Sequence, residues 1–111
     1  MKNYLDYDIL DELCEIMGDD MQMLVESYVS DSADKLKSLK ELNIKTQQDD
    51  IYRLAHSLKG SSRNLGLAAF AEYCENIEKT ARNEKLDENT IDWPNFENLY
   101  TVSIEELKEK Y

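Results

Sequence analysis

The sequence has few of the residues that interrupt helices. Its 111 residues include three glycines and one proline. Strand ends and tight turns usually need these residue types, so a fold rich in strands is disfavoured. Leu, Ala, Glu, Lys and Asp together outnumber the β-branched residues, which favours helices. The length fits one domain, and we predict a single all-α domain over residues 1–111.

The sequence also lacks long apolar runs and an excess of positive charge. No stretch approaches the roughly 20 apolar residues that span a bilayer, and the N-terminus has no apolar core of a signal peptide. We therefore expect no membrane association and a cytoplasmic location. The formal net charge of -11 repels nucleic acid phosphates, so nucleic acid is not an expected partner.

Residues that bind metals are scarce. The two cysteines, Cys14 and Cys74, are far apart and have no CxxC or CxxCH spacing, and there is one histidine. Each cysteine lies beside apolar residues at helical spacing, as free core thiols do. We expect reduced thiols and no metal or cofactor bound by this chain.

Five segments carry apolar residues at intervals of three and four, which is typical of amphipathic helices. Gly18 is a helix stop, Asp19 with Gln22 resembles a capping box, and Asp92 precedes a helix with Pro94 in its first turn. The predicted helices cover Tyr4 to Met17, Asp19 to about Leu42, a third from near Asp49, Leu67 to Ala81, and Trp93 to the C-terminus. Short connections predict an antiparallel four-helix bundle with the short additional N-terminal helix capping one end. We expect a monomer, because the core uses the apolar face of each helix.

The third helix displays the chain's one histidine. Turning each residue of Ile51 to Leu65 by about 100° gathers the apolar side chains on one side. His56 falls opposite that side with Arg53, Gly60 and Arg63, while Tyr52 and Lys59 flank it. From Ile51 to Ala71 there is no Asp or Glu, so the cations near His56 predict a local positive patch that suits a transient anion.

Gly60 needs an explanation, because glycine inside a helix costs roughly 1 kcal/mol relative to alanine. It projects away from the apolar stripe, so close core packing does not account for it. A side chain at position 60 leans toward the imidazole one turn back. We interpret Gly60 as clearance for a large group that reacts at His56.

Neutral imidazole is a nucleophile for acyl or phosphoryl centres. The cations Lys59, Arg63 and Arg53 are expected to disfavour imidazolium and afterwards to attract phosphoryl oxygens. The sequence has no Gly-rich phosphate loop and no histidine pair for a metal, so we expect no ATP-dependent kinase activity. A partner must then complete the active site.

The segment AHSLKGSSRNLG, followed by FAEYCENIE, resembles the signature of histidine-containing phosphotransfer (HPt) domains of multistep phosphorelays. The upstream stretch GDDMQMLVESYVSDSADKLKSL is similar to the family's Gly-Asp turn and second helix. The resemblance covers about residues 10–85, and the last helix fits loosely. Leu67 departs from the smaller residue that is common there.

The resemblance implies a role for each matched residue. It makes His56 the phosphorylated residue, through Nε2, with Lys59 as the assisting cation and Gly60 as the clearance position. Arg63 and Tyr52 are not family-defining positions. The positive patch adds Arg63 to the phosphoryl neighbourhood, and we expect Tyr52, Arg53 and Ser57 to contact partners. The implied partners are receiver domains of a hybrid sensor histidine kinase and of response regulators, which bring their own Mg²⁺.

Two other functions fit the same helix. An adaptor can use the exposed face around His56 to bind a partner irrespective of phosphorylation. A haem-binding bundle can use His56 with Met17, Met21 or Met23 as axial ligands, but a haem ligand should point into the bundle, whereas His56 lies opposite the apolar stripe.

Overall fold

The computed structural model describes residues 4–111, and five α-helices account for most of them. No strand occurs in that range, which confirms the all-α prediction. The helices are α1 (Tyr7–Met17), α2 (Met21–Glu41), α3 (Gln48–Asn64), α4 (Ala68–Arg82) and α5 (Trp93–Lys110). No helix within residues 4–111 combines the length and the apolar character that crossing a membrane requires.

The helix ends follow local signals in most places. The Asp6 side chain accepts hydrogen bonds from the backbone N–H groups of Asp8 and Ile9, so α1 begins later than the predicted Tyr4. Gly18 ends α1 with a φ of 53°, as predicted. The capping box at Asp19 is wrong: residues 18–20 form a short 3-10 turn, and α2 begins after Asp20 without a side-chain cap.

Polar contacts between helices fix the chain directions. Between α2 and α3, Tyr28 Oη lies 2.6 Å from Ser62 Oγ, and Lys35 Nζ lies 2.7 Å from Ser57 Oγ. From the first pair to the second, the residue number rises along α2 and falls along α3, so the two helices are antiparallel. Tyr28 and Ser62 are both buried, and their mutual hydrogen bond satisfies polar groups within the apolar stripe.

The remaining helices continue the alternation. Ser32 on α2 contacts the Tyr100 hydroxyl on α5 at 2.7 Å, and Lys40 contacts Glu97 at 2.7 Å. Helices α3 and α5 are therefore both antiparallel to α2. Helix α4 is antiparallel to α3, since Lys59 contacts Glu78 and Arg63 contacts Glu75, so α2–α5 form the predicted antiparallel bundle. Its core is closed by stacked aromatic rings, with the Phe70 and Phe96 centroids 5.1 Å apart.

The N-terminal segment covers the end of the bundle where α3 passes into α4. The Asp6 N–H donates to the carbonyl oxygen of Gly66 at 2.7 Å. Contacts with the C-terminal part of the chain also hold α1: Tyr7 Oη donates to the carboxylate of Glu106, and Tyr111 Oη donates to Asp11 at 3.1 Å. These contacts confirm the predicted end-capping position of α1.

Ile16 lies outside the buried side of α1, although it is apolar and follows Leu13 at an interval of three. Its side chain is 73% exposed. Leu10 is the fully buried residue of α1, and six residues at about 100° each place Ile16 about 120° away from it. A short helix that covers one end of a bundle buries only a narrow stripe.

Both cysteines are free, as expected. Cys74 is fully buried on α4, and burial raises the pKa of its thiol to about 12. Cys14 on α1 is half-buried, and desolvation followed by the charge of Asp11 raises its pKa as well. Both thiols are therefore protonated, and Cys74 serves the core as a small apolar residue.

Candidate functional site

His56 lies on the outer face of α3, as its helical position predicts. The opposite face buries Ile51, Ala55 and Leu58 completely or nearly so. The His56 side chain is 60% exposed. The helix is thus anchored by its apolar stripe, and the imidazole is presented to molecules outside the bundle.

A carboxylate from the neighbouring helix holds this imidazole. Glu78 Oε1 on α4 lies 2.6 Å from His56 Nδ1, and Glu78 Oε2 lies 2.6 Å from Lys59 Nζ. The Glu78 side chain is only 8% exposed, and that of Lys59 is 18% exposed. One nearly buried carboxylate therefore connects two residues that lie about one turn apart on α3.

This contact decides which imidazole nitrogen is available. A carboxylate can only accept hydrogen bonds, so Nδ1 must carry the proton that His56 donates to Glu78. In the neutral ring, Nε2 then has the free lone pair. Since the ring is exposed, the arrangement leaves Nε2 as the nucleophilic atom that a partner can reach.

The charges keep Glu78 ionised. Burial alone raises the pKa of its carboxyl group, but the hydrogen bonds from Lys59 and His56, together with their charges, outweigh burial and lower the pKa. A carboxylate that is nearly buried requires such partners. Glu78 is therefore a fixed negative charge behind the imidazole.

Glu78 was not among the site residues predicted from the sequence. The residue occupies the apolar stripe of α4, four positions after Cys74 and three before Ala81, both of which are buried. An acidic residue at such a position needs a partner inside the protein. Its place in the apolar stripe was therefore the feature of the sequence that could have identified Glu78 as a site residue. Its partner depends on how α3 and α4 pack against each other, which periodicity does not specify.

The predicted positive patch is wrong, because cations around His56 are paired with acids. Arg53 lies 3.0 Å from Asp49, one turn earlier on α3, and Arg63 lies 3.5 Å from Glu75 on α4. The acid-free stretch from Ile51 to Ala71 is real in sequence, but α4 supplies carboxylates across the helix pair. The cations near His56 therefore do not form a patch of uncompensated positive charge.

Tyr52 and Ser57 lie on either side of His56. The Tyr52 ring stacks with the imidazole, with centroids 6.0 Å apart and planes inclined by 22°. Arg82 of α4 places its guanidinium carbon 5.9 Å from the Tyr52 centroid. Ser57 points toward α2, where its hydroxyl accepts the hydrogen bond from Lys35. Arg82 and Lys35 were not among the predicted site residues.

Gly60 lies on the open face of α3. A Cβ built there meets no atom within 4 Å, so core packing does not require glycine at this position. The same observation corrects the prediction that a side chain at position 60 crowds the imidazole of His56. Clearance at Gly60 for a group that reacts at His56 therefore stays a prediction.

The haem alternative does not fit this geometry. Met21 is buried at the start of α2, and Met23 is 67% exposed. His56 faces away from the core that an axial ligand has to enter.

Comparisons with known proteins agree with the architecture and with the family resemblance of the sequence. A family model described as "Hpt domain" matches residues 23–110. The solved structure of histidine-containing phosphotransfer protein B (HptB) from Pseudomonas aeruginosa PAO1 is similar, with a TM-score of 0.87 and 28% sequence identity. The match covers 99% of this chain and 96% of that chain. No curated protein sequence matches the chain.

Proposed function

Because this chain belongs to the Hpt domain family, we propose that it functions in histidine phosphotransfer within a phosphorelay by carrying a phosphoryl group on His56. The observation that carries the assignment is that the sequence has one histidine and that its imidazole is exposed. The partners of such domains are receiver domains. Their phosphorylated aspartates are the proposed donors and acceptors, first in a hybrid sensor kinase and then in a response regulator.

The transfer step follows from the tautomer. His56 Nε2 attacks the phosphorus of the aspartyl phosphate, so an N–P bond forms while the P–O bond breaks and the aspartate leaves as a carboxylate. The ring gains positive charge as its lone pair is shared, and the Nδ1–H group bears part of it. Glu78 accepts from that N–H at 2.6 Å and stabilises this charge. The reverse step returns the phosphoryl group to another aspartate.

Lys59 is the proposed cation for the phosphoryl oxygens. Its Nζ lies 2.6 Å from Glu78 Oε2. The lysine side chain is flexible and has three N–H donors, so it can bind that carboxylate and a phosphoryl group beside the ring together. Arg63 is the next cation on this face, half exposed and loosely paired at 3.5 Å. The Mg²⁺ that the exchange needs is proposed to belong to the receiver domain, which also contacts Tyr52, Arg53 and Ser57.

The other parts of the proposal concern the state of the protein. We propose a phosphocarrier without kinase activity of its own, monomeric and located in the cytoplasm. The adaptor alternative requires only binding, so it does not explain why Glu78 fixes the tautomer of His56. Phosphoryl transfer uses that contact, and for this reason we favour it.

Intact mass measurement tests the function. Purified receiver domains are charged with acetyl phosphate, mixed with the chain, and the products are weighed at neutral pH. We expect one acid-labile phosphoryl adduct on the wild type and none on His56→Gln, with equal helicity of the two proteins by circular dichroism. An adduct that persists in His56→Gln contradicts the assignment, and partner binding by both proteins without any adduct supports the adaptor.

A further inference from the structure

Helix α4 lines the His56 face with three charged residues in a row. Glu75, Glu78 and Arg82 follow one another at intervals of three and four, so they share one side of α4. Opposite them on α3, Arg63 meets Glu75, His56 with Lys59 meets Glu78, and Tyr52 meets Arg82. Arg82 thus lies about one turn of α4 beyond Glu78, the residue that contacts the reacting imidazole.

Arg82 differs from the cations of α3 that lie around His56. Lys59 and Arg63 each contact a carboxylate of α4, and Arg53 contacts Asp49. Arg82 makes no ion pair within the part of the chain that is described, and its contact is the aromatic ring of Tyr52. An aromatic ring orients a guanidinium but leaves its N–H donors free for another acceptor.

The unpaired charge of Arg82 matters because this chain is acidic. This chain has a formal net charge of -11, and its proposed partner presents an acidic acceptor site built around an aspartate. A cation that its own protein already pairs adds little to the attraction between them. An exposed guanidinium without such a pair can form a bidentate contact with a partner carboxylate.

We propose that Arg82, oriented by Tyr52, is a contact residue for the receiver domain and pairs with a carboxylate at the rim of the receiver's phosphoryl site. This proposal rests on the proposed phosphotransfer function and extends it to the choice of partner. Receivers with an acidic side chain at that position on the rim are favoured, and those with a basic side chain there are rejected.

If Arg82 only stabilised the end of α4, its substitution would affect transfer differently. Arg82 lies in the last turn of α4, where a cation is favourable beside the free carbonyl groups of the helix end. Lys79 lies in the same turn, is also exposed, and is one residue from Glu78, about 100° around the helix. Lys79→Ala therefore removes the same charge from the same helix end without touching Tyr52, and is the matched control.

The test measures transfer from an acetyl-phosphate-charged receiver domain that labels the wild type, over a range of receiver concentrations. We expect Arg82→Ala to raise KM about fivefold with kcat nearly unchanged, as loss of a rim charge slows association. Arg82→Lys should recover part of the loss, and Lys79→Ala should stay within about twofold of the wild type. The difference between wild type and Arg82→Ala should shrink at high salt, because salt screens exposed charges.

Several results overturn the proposal. Equal KM values for Arg82→Ala and Lys79→Ala assign Arg82 to the helix end. A lower kcat at unchanged KM places Arg82 on the phosphoryl group and not on the receiver. If no charged receiver labels the wild type, the phosphotransfer function fails together with this inference, whereas a labelled wild type with an unaffected Arg82→Ala variant removes this inference alone.

Discussion

Glu78 on α4 accepts a hydrogen bond from His56 Nδ1 on α3 at 2.6 Å, and the same carboxylate binds Lys59. This relationship joins the fold to the chemistry. The packing of two helices sets the tautomer of the imidazole, keeps a negative charge behind the ring and leaves Nε2 exposed. The proposed roles of His56 and Lys59 both depend on it.

Replacing Glu78 with glutamine tests that role. The variant keeps the shape of the side chain but loses the charge that stabilises the ring during transfer. A hydrogen bond to a charged group contributes about 1.5–3 kcal/mol, so we expect transfer to slow by roughly tenfold to a hundredfold. Single-turnover transfer from a charged receiver measures it. Glu72→Gln, an exposed change on the same helix, is the control, and equal rates for the two variants contradict the role of Glu78.

Lys59→Ala should slow transfer less than removal of His56, which abolishes it. The variant removes the cation proposed to meet the phosphoryl oxygens, while Glu78 keeps its contact with Nδ1. We expect a rate roughly tenfold below the wild type, measured under the same single-turnover conditions. An unchanged rate assigns Lys59 to neutralising Glu78 and to no step of the transfer.

The Glu78 network should also make stability depend on acid pH. Its pKa is below the ordinary value of 4.5, so the folded state releases the proton more readily than the unfolded state does. The network's stabilisation is therefore fully present above that value and is lost as the pH falls through the lower folded pKa. The difference in Tm between wild type and Glu78→Gln should shrink as the pH is lowered over this range. A difference that stays constant with pH contradicts the lowered pKa.

Gly60→Ala should separate stability from function. The added methyl meets no atom within 4 Å, and alanine favours a helix over glycine, so the free energy of unfolding should rise by about 0.5–1 kcal/mol. The methyl nevertheless enters the space beside His56 that the phosphoryl group and receiver need, and transfer should slow by about tenfold. Urea unfolding and transfer kinetics on one preparation measure both effects. A more stable protein with full transfer activity contradicts the clearance interpretation.

Gly66→Ala should have the opposite effect on stability. Gly66 has a φ of 82°, and a Cβ there lies 3.0 Å from the carbonyl oxygen of Asp6 and 3.1 Å from Leu10 Cγ. The left-handed backbone alone costs a side chain roughly 1–2 kcal/mol, so the free energy of unfolding should fall by at least that amount. Thermal unfolding measures it, with Gly60→Ala as the comparison. A Tm at or above the wild-type value contradicts the described turn between α3 and α4.

The sequence predicted the bundle because each helix has its own periodic stripe and its own end signals, such as Gly18 and Asp92. It predicted the outward position of His56 for the same reason. It did not predict the pairing of His56 with Glu78 or of Tyr52 with Arg82, because these contacts join two helices and depend on their relative shift. The failed capping box at Asp19 has a local cause, since the backbone takes a 3-10 turn between two helices that meet at Gly18.

The most direct test of the central claim is a long-range ¹H–¹⁵N NMR spectrum of the single imidazole before and after phosphorylation by a charged receiver. We predict that, in the free protein, the neutral form of the ring carries its proton on Nδ1. After transfer, we predict coupling of phosphorus to Nε2 with the Nδ1 proton retained. Phosphorus on Nδ1, or a phosphoryl adduct that leaves the His56 signals unchanged, would contradict the account.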